Sequence, residues 1–204
     1  MKPKNFYTFS LVGGAHSGKS YCLSYCEKHL PEHFLNTDGR KITIFFAKEE
    51  ATKILQNDPS LDNTTLHFQF LVIAGQLEAI HKATQYAESH TDELVIFISD
   101  RSTVDGQIYL QPEECGAIGW NYMEGLYDHF FLFDCYINDN VRAGNELRRE
   151  SSINDLLLLS QKTKDLYIRK YADKISIIKN FSSIEEKGQS FLNSITGKIK
   201  EVRI

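Results

Sequence analysis

Five apolar segments recur along the chain, and their pattern predicts the strands of a parallel sheet. The segments are NFYTFSLVG (5–13), KITIFFA (41–47), ELVIFIS (93–99), HFFLFDCYI (129–137) and KISIIKN (174–180). They lack the regular alternation of polar and apolar residues that is typical of a strand with one face in water. We therefore expect both faces of the sheet to be covered by helices.

Helical patterns lie between these segments. A helix is predicted over 66–90, and another after Ser182 and Ser183, where a capping serine precedes two acidic residues. The first pattern consists of Leu66, Phe70, Ile73, Leu77 and Ile80. Alternating strands and helices indicate the α/β class with a parallel sheet in three layers. No repeat or linker interrupts residues 1–204, so we expect a single domain.

The loop GGAHSGKS joins the first strand to a helical segment. Its glycines allow successive backbone N–H groups to point at phosphate oxygens, and the helix adds the positive end of its dipole. In such a P-loop the lysine reaches the β- and γ-phosphates and the serine hydroxyl binds Mg²⁺. A plain glycine turn before a helix is the alternative. The candidate nucleotide-binding residues are Gly13, Gly14, Ala15, His16, Ser17, Gly18, Lys19 and Ser20.

Composition narrows the range of possible binding partners and cellular locations. The 204 residues carry a net charge of −4, which gives no general basic surface for nucleic acid. No apolar run approaches the ~20 residues that span a bilayer. The four cysteines include no C-x-x-C pair, which favours packed thiols in a reducing compartment. We expect a cytoplasmic protein.

Acidic and basic residues follow two of the predicted strands. Asp100 ends the third segment, where a carboxylate can hold Mg²⁺, although a capping role for the next helix is the alternative. Arg101 is costly at a sheet edge unless it meets an anion. Glu49 follows the second segment and can accept a proton from a substrate hydroxyl, whereas both Glu49 and Glu50 also suit the start of a helix.

The longest polar connector, 138–151, contains Arg142, Arg148 and Arg149. Three guanidiniums between a strand and a helix favour a lid over the phosphates, with a solvated helix face as the alternative. Gln69 and Gln76 lie seven residues apart on one face of the long predicted helix, so their amides can read a base, or can be satisfied by neighbouring backbone.

Several of these motifs together resemble a known family. GGAHSGKS, KEEAT, FQFLVIAGQLE, DRSTVDGQIY and an arginine-bearing lid are similar to the small AAA-domain P-loop kinases grouped with ribosylnicotinamide kinases, and more loosely to deoxynucleoside kinases. The resemblance covers residues from 6 to about 171 and implies a sheet order of 2-3-1-4-5. Asp100 replaces the glutamate that is usual in deoxynucleoside kinases, and Glu50 replaces a proline.

The resemblance also implies roles for individual residues. Glu49 matches the general base, and Asp100 and Arg101 match the pair that serves Mg²⁺ and the reactive group. Residues matched to the substrate side are Phe68, Gln69, Asp105 and Tyr109, and those matched to the lid are Arg142 and Arg148. Phe68 and Gln69 take the place of an aromatic-amide pair that packs on and reads the base.

The sequence is compatible with three functions. The first is ATP- and Mg²⁺-dependent phosphoryl transfer to the hydroxyl of a nucleoside-like metabolite, with GTP as the alternative donor. The second is a nucleotide-binding switch or lipid-responsive module without turnover, because some relatives resemble a translocation-defect family that binds GTP and acidic phospholipid. The third is a nucleoside monophosphate kinase. A GTPase is disfavoured because the sequence has no Asn-Lys-x-Asp motif.

Overall fold

The computed structural model describes residues 2–14, 16–30, 41–62, 65–116, 118–134 and 153–201. Within these ranges five strands form one sheet in the order β2-β3-β1-β4-β5, and every neighbouring pair is parallel. The strands are β1 (Phe6–Val12), β2 (Ile42–Ala47), β3 (Leu94–Asp100), β4 (His129–Phe133) and β5 (Ile175–Ile178). The predicted parallel sheet and its order are confirmed.

Helices separate the strands along the chain. They are α1 (Lys19–His29), α2 (Glu50–Asn57), α3 (Leu66–Ser89), α4 (Gly106–Tyr109), α5 (Pro112–Cys115), α6 (Trp120–Glu124), α7 (Ile153–Tyr171) and α8 (Ile184–Glu201). The long predicted helix is α3, which ends one residue earlier than expected. None of the helices in the described ranges has the length and apolar character that crossing a bilayer requires.

Both faces of the sheet are buried, as the unbroken apolar segments predicted. Leu94, Ile96 and Ile98 of β3 pack on one face with α1 and α8. Val95 and Phe97, which alternate with them, pack on the other face with α3 and α7. Because successive side chains of a strand point to opposite faces, a strand covered on both sides must be apolar throughout. The three-layer prediction is confirmed.

The cysteines of α1 belong to the first of these cores. Cys22 and Cys26 are free thiols and fully buried, and burial raises the pKa of Cys22 to about 12. Thiols with a raised pKa are poor nucleophiles, so packing accounts for both. Cys115 is a partly buried free thiol, and Cys135 lies outside the described residues.

The parallel arrangement brings three strand ends to one edge of the sheet. β1 ends at Val12 before the P-loop, β2 ends at Ala47 before Glu49, and β3 ends on Asp100. The fourth strand is shorter than predicted: β4 ends at Phe133, and residues 135–137 of that segment lie outside the described residues. The candidate chemistry therefore collects at the carboxyl edge of β1, β2 and β3.

We predict different effects on stability for alanine at two glycines of α8. A Cβ at Gly188 would lie 3.0 Å from the Cγ of Tyr25 on α1, whereas one at Gly197 would meet no atom within 4 Å. Gly197→Ala should raise the free energy of unfolding by about 1 kcal/mol through helix propensity. At Gly188 the same gain is opposed by overpacking, which typically costs about 1–3 kcal/mol, so Gly188→Ala should be less stable than Gly197→Ala. Urea unfolding measures both, and equal changes would contradict the close α1–α8 contact.

Candidate active site

A cleft of about 320 Å³ opens at the carboxyl edge of the sheet. It is lined by residues of the P-loop, of the segments after β2 and β3, and of α3. The sequence-predicted residues among them are His16, Ser17, Gly18, Lys19, Ser20, Glu49, Gln69, Gln76, Asp100, Arg101, Asp105 and Tyr109. The structure thus brings together residues that lie far apart in the chain.

The glycines of the P-loop are required by its geometry. Gly13 has φ +140°, and a Cβ there would lie 2.6 Å from the carbonyl oxygen of Phe133. Gly14 approaches α7 so closely that a Cβ would lie 2.7 Å from the Cβ of Ser160. Gly18, with φ +84°, caps α1 in a left-handed conformation that glycine adopts at no steric cost. Ala15 lies outside the described residues.

Lys19 is held inside the loop. Its Nζ donates hydrogen bonds to the carbonyl oxygens of Gly13 (3.0 Å) and Gly14 (2.8 Å) and to the Oγ of Ser17 (3.1 Å). The side chain is buried, and burial together with the positive charge of Arg101 lowers the pKa of Lys19 to about 8. A bound anion would favour the protonated form of Lys19, which burial disfavours.

Ser20 and Asp100 form a pair of oxygen ligands suited to Mg²⁺. The Ser20 hydroxyl donates to Asp100 Oδ2 at 2.5 Å, and Asp100 Oδ1 is buried without a hydrogen-bond partner among the described residues. Burial raises the pKa of Asp100, and a divalent cation would favour its ionised form. The alternative capping role falls to another residue, since the 3-10 turn Thr103–Asp105 is capped by Ser102.

Glu49 is fixed in the cleft by two side chains. Arg101 Nε donates to Glu49 Oε1 at 2.6 Å, and Thr52 Oγ1 donates to Glu49 Oε2 at 2.9 Å. Burial alone would raise the pKa of Glu49, but the charges of Arg101 and Lys19 and these hydrogen bonds lower it to about 2. Glu49 is therefore ionised at neutral pH.

Glu50 occupies a different environment from its neighbour. It is the first residue of α2 and pairs with Lys53 at 2.5 Å, three residues along the same helix. Glu49 is the N-cap residue of α2, but its side chain makes no capping hydrogen bond and lines the cleft instead. Of the two acids, Glu49 is placed to meet a ligand.

Arg101 connects Glu49 to Asp105 and Tyr109, the residues predicted to lie on the substrate side. Its Nη1 donates to the Tyr109 hydroxyl at 3.2 Å and lies 3.7 Å from Asp105 Oδ2. Burial raises the pKa of Asp105, while Arg101 and a hydrogen bond from Tyr167 act in the opposite direction. The cleft therefore contains a guanidinium shared between two carboxylates.

One wall of the cleft is formed by α3. Gln69 and Gln76 line the cleft beside Leu55, Val72 and Ile73. Phe68 is not among the lining residues, and its ring is fully buried against Leu55 and Val72. One residue of helix turns the side chain of Phe68 about 100° away from that of Gln69. The contact of Phe68 with a bound base stays a prediction.

Sequence reasoning missed residues that support the site. Ser102 was recognisable, because Ser-x-x-Asp in STVD is the signature of a helix cap. Thr52 and Tyr167 carried no such signal, since their contacts with Glu49 and Asp105 depend on packing between separate elements. The predicted lid over 138–151, with Arg142 and Arg148, lies outside the described residues.

Comparisons with known proteins agree with the fold. No family model and no curated protein matches the chain. Among solved structures the chain is similar to a thymidylate kinase from Ehrlichia chaffeensis, with a TM-score of 0.58 and 14% sequence identity over 93% of this chain and 98% of that chain. Together with the sheet order, this likeness shows the P-loop kinase fold. It does not single out the ribosylnicotinamide kinases that the motifs resemble.

The ion pair of Glu49 predicts a specific acid dependence of stability. The folded-state pKa of about 2 lies below the ordinary 4.5, so ionised Glu49 stabilises the fold above pH 4.5 and this contribution disappears as the pH falls towards 2. Over this pH range the free energy of unfolding of the wild type should fall by up to about 3 kcal/mol more than that of Glu49→Gln. Urea unfolding over this pH range measures it, with Glu50→Gln as the control. Equal slopes for wild type and Glu49→Gln would contradict the pairing.

Proposed function

We propose that this chain transfers the γ-phosphoryl group of ATP, in the presence of Mg²⁺, to a hydroxyl of a nucleoside-like small molecule. The observation that carries the proposal is the placement of the Glu49 carboxylate in the same cleft as the P-loop lysine. A nucleotide-binding module without chemistry needs the P-loop alone. A carboxylate held ionised beside it suits the activation of an acceptor.

The phosphate-binding half of the cleft supports the donor side of the reaction. The triphosphate would lie on the P-loop backbone, and Lys19 would turn from the carbonyl oxygens of Gly13 and Gly14 to the phosphates. Ser20 and Asp100 would hold Mg²⁺, which when bound neutralises charge on the transferring group. Within the described residues the cleft has no cluster of three metal-binding side chains, so a hydroxyl and one carboxylate fit an ion that keeps several waters.

Glu49 supports the acceptor side. With a pKa of about 2 it is a weak base, so its main contribution is to accept a hydrogen bond from the attacking hydroxyl and hold it in line. The proton passes to Glu49 late, when bond formation to phosphorus has made the hydroxyl strongly acidic. A loose phosphoryl-transfer transition state requires this kind of positioning more than a strong base.

Charge favours a hydroxyl acceptor over a phosphate. Arg101 is the cation at the acceptor end among the described residues, and it is shared by Glu49 and Asp105. A phosphate there would meet two carboxylates and one guanidinium that is already paired. The solved neighbour is a thymidylate kinase, so a nucleoside monophosphate remains the second candidate acceptor.

A coupled assay of ADP or GDP release tests the proposal. Nucleosides, nicotinamide riboside and nucleoside monophosphates are each offered with ATP or GTP and Mg²⁺. We expect one hydroxyl acceptor to accelerate ADP release. Acceleration by a monophosphate alone would overturn the charge argument, and tight nucleotide binding with no acceptor would favour the switch.

Glu49→Gln should then lower kcat by at least about 10²-fold, the lower range for loss of a positioned proton acceptor. The amide keeps the shape of the side chain, so the affinity for ATP should change little. Glu50→Gln is the matched control, because that acid pairs with Lys53 and should leave kcat near the wild-type value. A larger loss in Glu50→Gln would show that the neighbouring acid is the functional one.

A further inference from the structure

A buried polar cluster joins α7 to the turn that follows β3. It consists of Tyr167 on α7, and Ser102 and Asp105 in the turn, and all three are at most 3% exposed. The Tyr167 hydroxyl lies 2.5 Å from both Ser102 Oγ and Asp105 Oδ1. Burying three polar groups is costly unless each is hydrogen-bonded, so this cluster holds its members in a fixed arrangement.

The available protons determine which group donates and which accepts in each hydrogen bond of the cluster. The backbone N–H of Val104 donates to Ser102 Oγ at 3.1 Å. Tyr167 has one hydroxyl proton, which it donates to Asp105 Oδ1. The Ser102 hydroxyl is therefore the donor to the Tyr167 oxygen, and its contact with Asp105 Oδ1 is longer, at 3.5 Å. The chain of hydrogen bonds ends on Asp105 and fixes the rotation of that carboxylate.

The second oxygen of Asp105 faces the cleft residue Arg101. Asp105 Oδ2 is buried without a hydrogen-bond partner among the described residues, and it lies 3.7 Å from Arg101 Nη1. The same guanidinium donates through Nε to Glu49. Rotation of Asp105 would therefore change the charge that faces one side of Arg101, and with it the position of Glu49.

We propose that Tyr167 is a positioning residue for Glu49. It holds Asp105 with one oxygen towards Arg101, and Arg101 in turn holds Glu49 in the cleft, although Tyr167 contacts neither Glu49 nor the proposed acceptor. This inference rests on the proposed function for its catalytic consequence, but the positional link can be measured without turnover.

The variant Tyr167→Phe separates this role from packing. The ring of Tyr167 packs against Phe130 with centroids 5.0 Å apart, and phenylalanine retains that contact. Tyr171 offers a matched control one turn later on α7: it is also buried, and its ring lies 4.9 Å from that of Phe130. Among the described residues its hydroxyl makes no hydrogen bond to Ser102 or Asp105, so Tyr171→Phe removes the same atom without touching the cluster.

The first measurement uses the full chain and the acceptor found in the nucleotide-release assay. We expect Tyr167→Phe to lower kcat by about 10-fold or more, since small displacements of catalytic groups are costly, while KM for ATP stays within about twofold. Tyr171→Phe should match the wild type. In an Asp105→Asn background, Tyr167→Phe should cause no further loss, because both changes break the same link. Additive losses, or equal effects of the two phenylalanine variants, would overturn the proposal.

The second measurement reports on Glu49 directly and needs no turnover. The side-chain carboxyl ¹³C signal of Glu49 is assigned by its absence in Glu49→Gln and followed in both phenylalanine variants. We expect it to shift in Tyr167→Phe and to stay in place in Tyr171→Phe. If the signal shifts in Tyr167→Phe but the wild type has no kinase activity, the positional link between Tyr167 and Glu49 is retained and the proposed function is rejected. If the Glu49 signal does not shift, the link is rejected. If Tyr167→Phe does not fold, Asp105→Asn tests the same connection through this signal.

Discussion

The arrangement of the cleft depends on the buried guanidinium of Arg101. Its side chain is 13% exposed, and a charge in such a place costs several kcal/mol unless anions surround it. Those anions come from two neighbouring strand ends, Glu49 after β2 and Asp105 after β3. The requirement to pair one cation therefore holds two loops together at the carboxyl edge of the sheet, beside the P-loop.

The balance between burial and neighbouring charges explains why the acidic residues of the cleft differ in character. Arg101 and Lys19 lower the pKa of Glu49, whereas burial raises the pKa of Asp100 and of Asp105. Carboxylates whose pKa values move in opposite directions are suited to different tasks. Glu49 is already ionised before any ligand binds, so it can accept a hydrogen bond from a hydroxyl. One oxygen of Asp100 has no hydrogen-bond partner among the residues that the structure describes, and a bound cation would favour its ionised form.

Most of the fold could be predicted from the sequence because it depends on local patterns. Apolar runs without alternation require cover on both faces, and GGAHSGKS requires a strand before it and a helix after it. The strand ends then place Glu49 and Asp100 at one edge without further information. The residue pattern alone did not decide which acid faces the cleft, because Glu49 and Glu50 suit the start of a helix equally. The family resemblance favoured Glu49, and in the structure Arg101 donates a hydrogen bond to it.

The conformation of Arg101 shows why sequence patterns do not predict the detailed geometry of the site. Its backbone N–H still donates to the Leu11 carbonyl at 2.9 Å, which extends the ladder between β1 and β3 by one residue. Its φ of +79° then turns the chain away from the sheet, a conformation costly for a residue with a side chain. His16 in the P-loop has φ +59°, and both residues line the cleft. Strain of this kind persists only where surrounding contacts hold it. For Arg101 those contacts are Glu49, Tyr109 and Asp105, which lie four residues or more away in the chain, so no local pattern encodes the geometry that they impose.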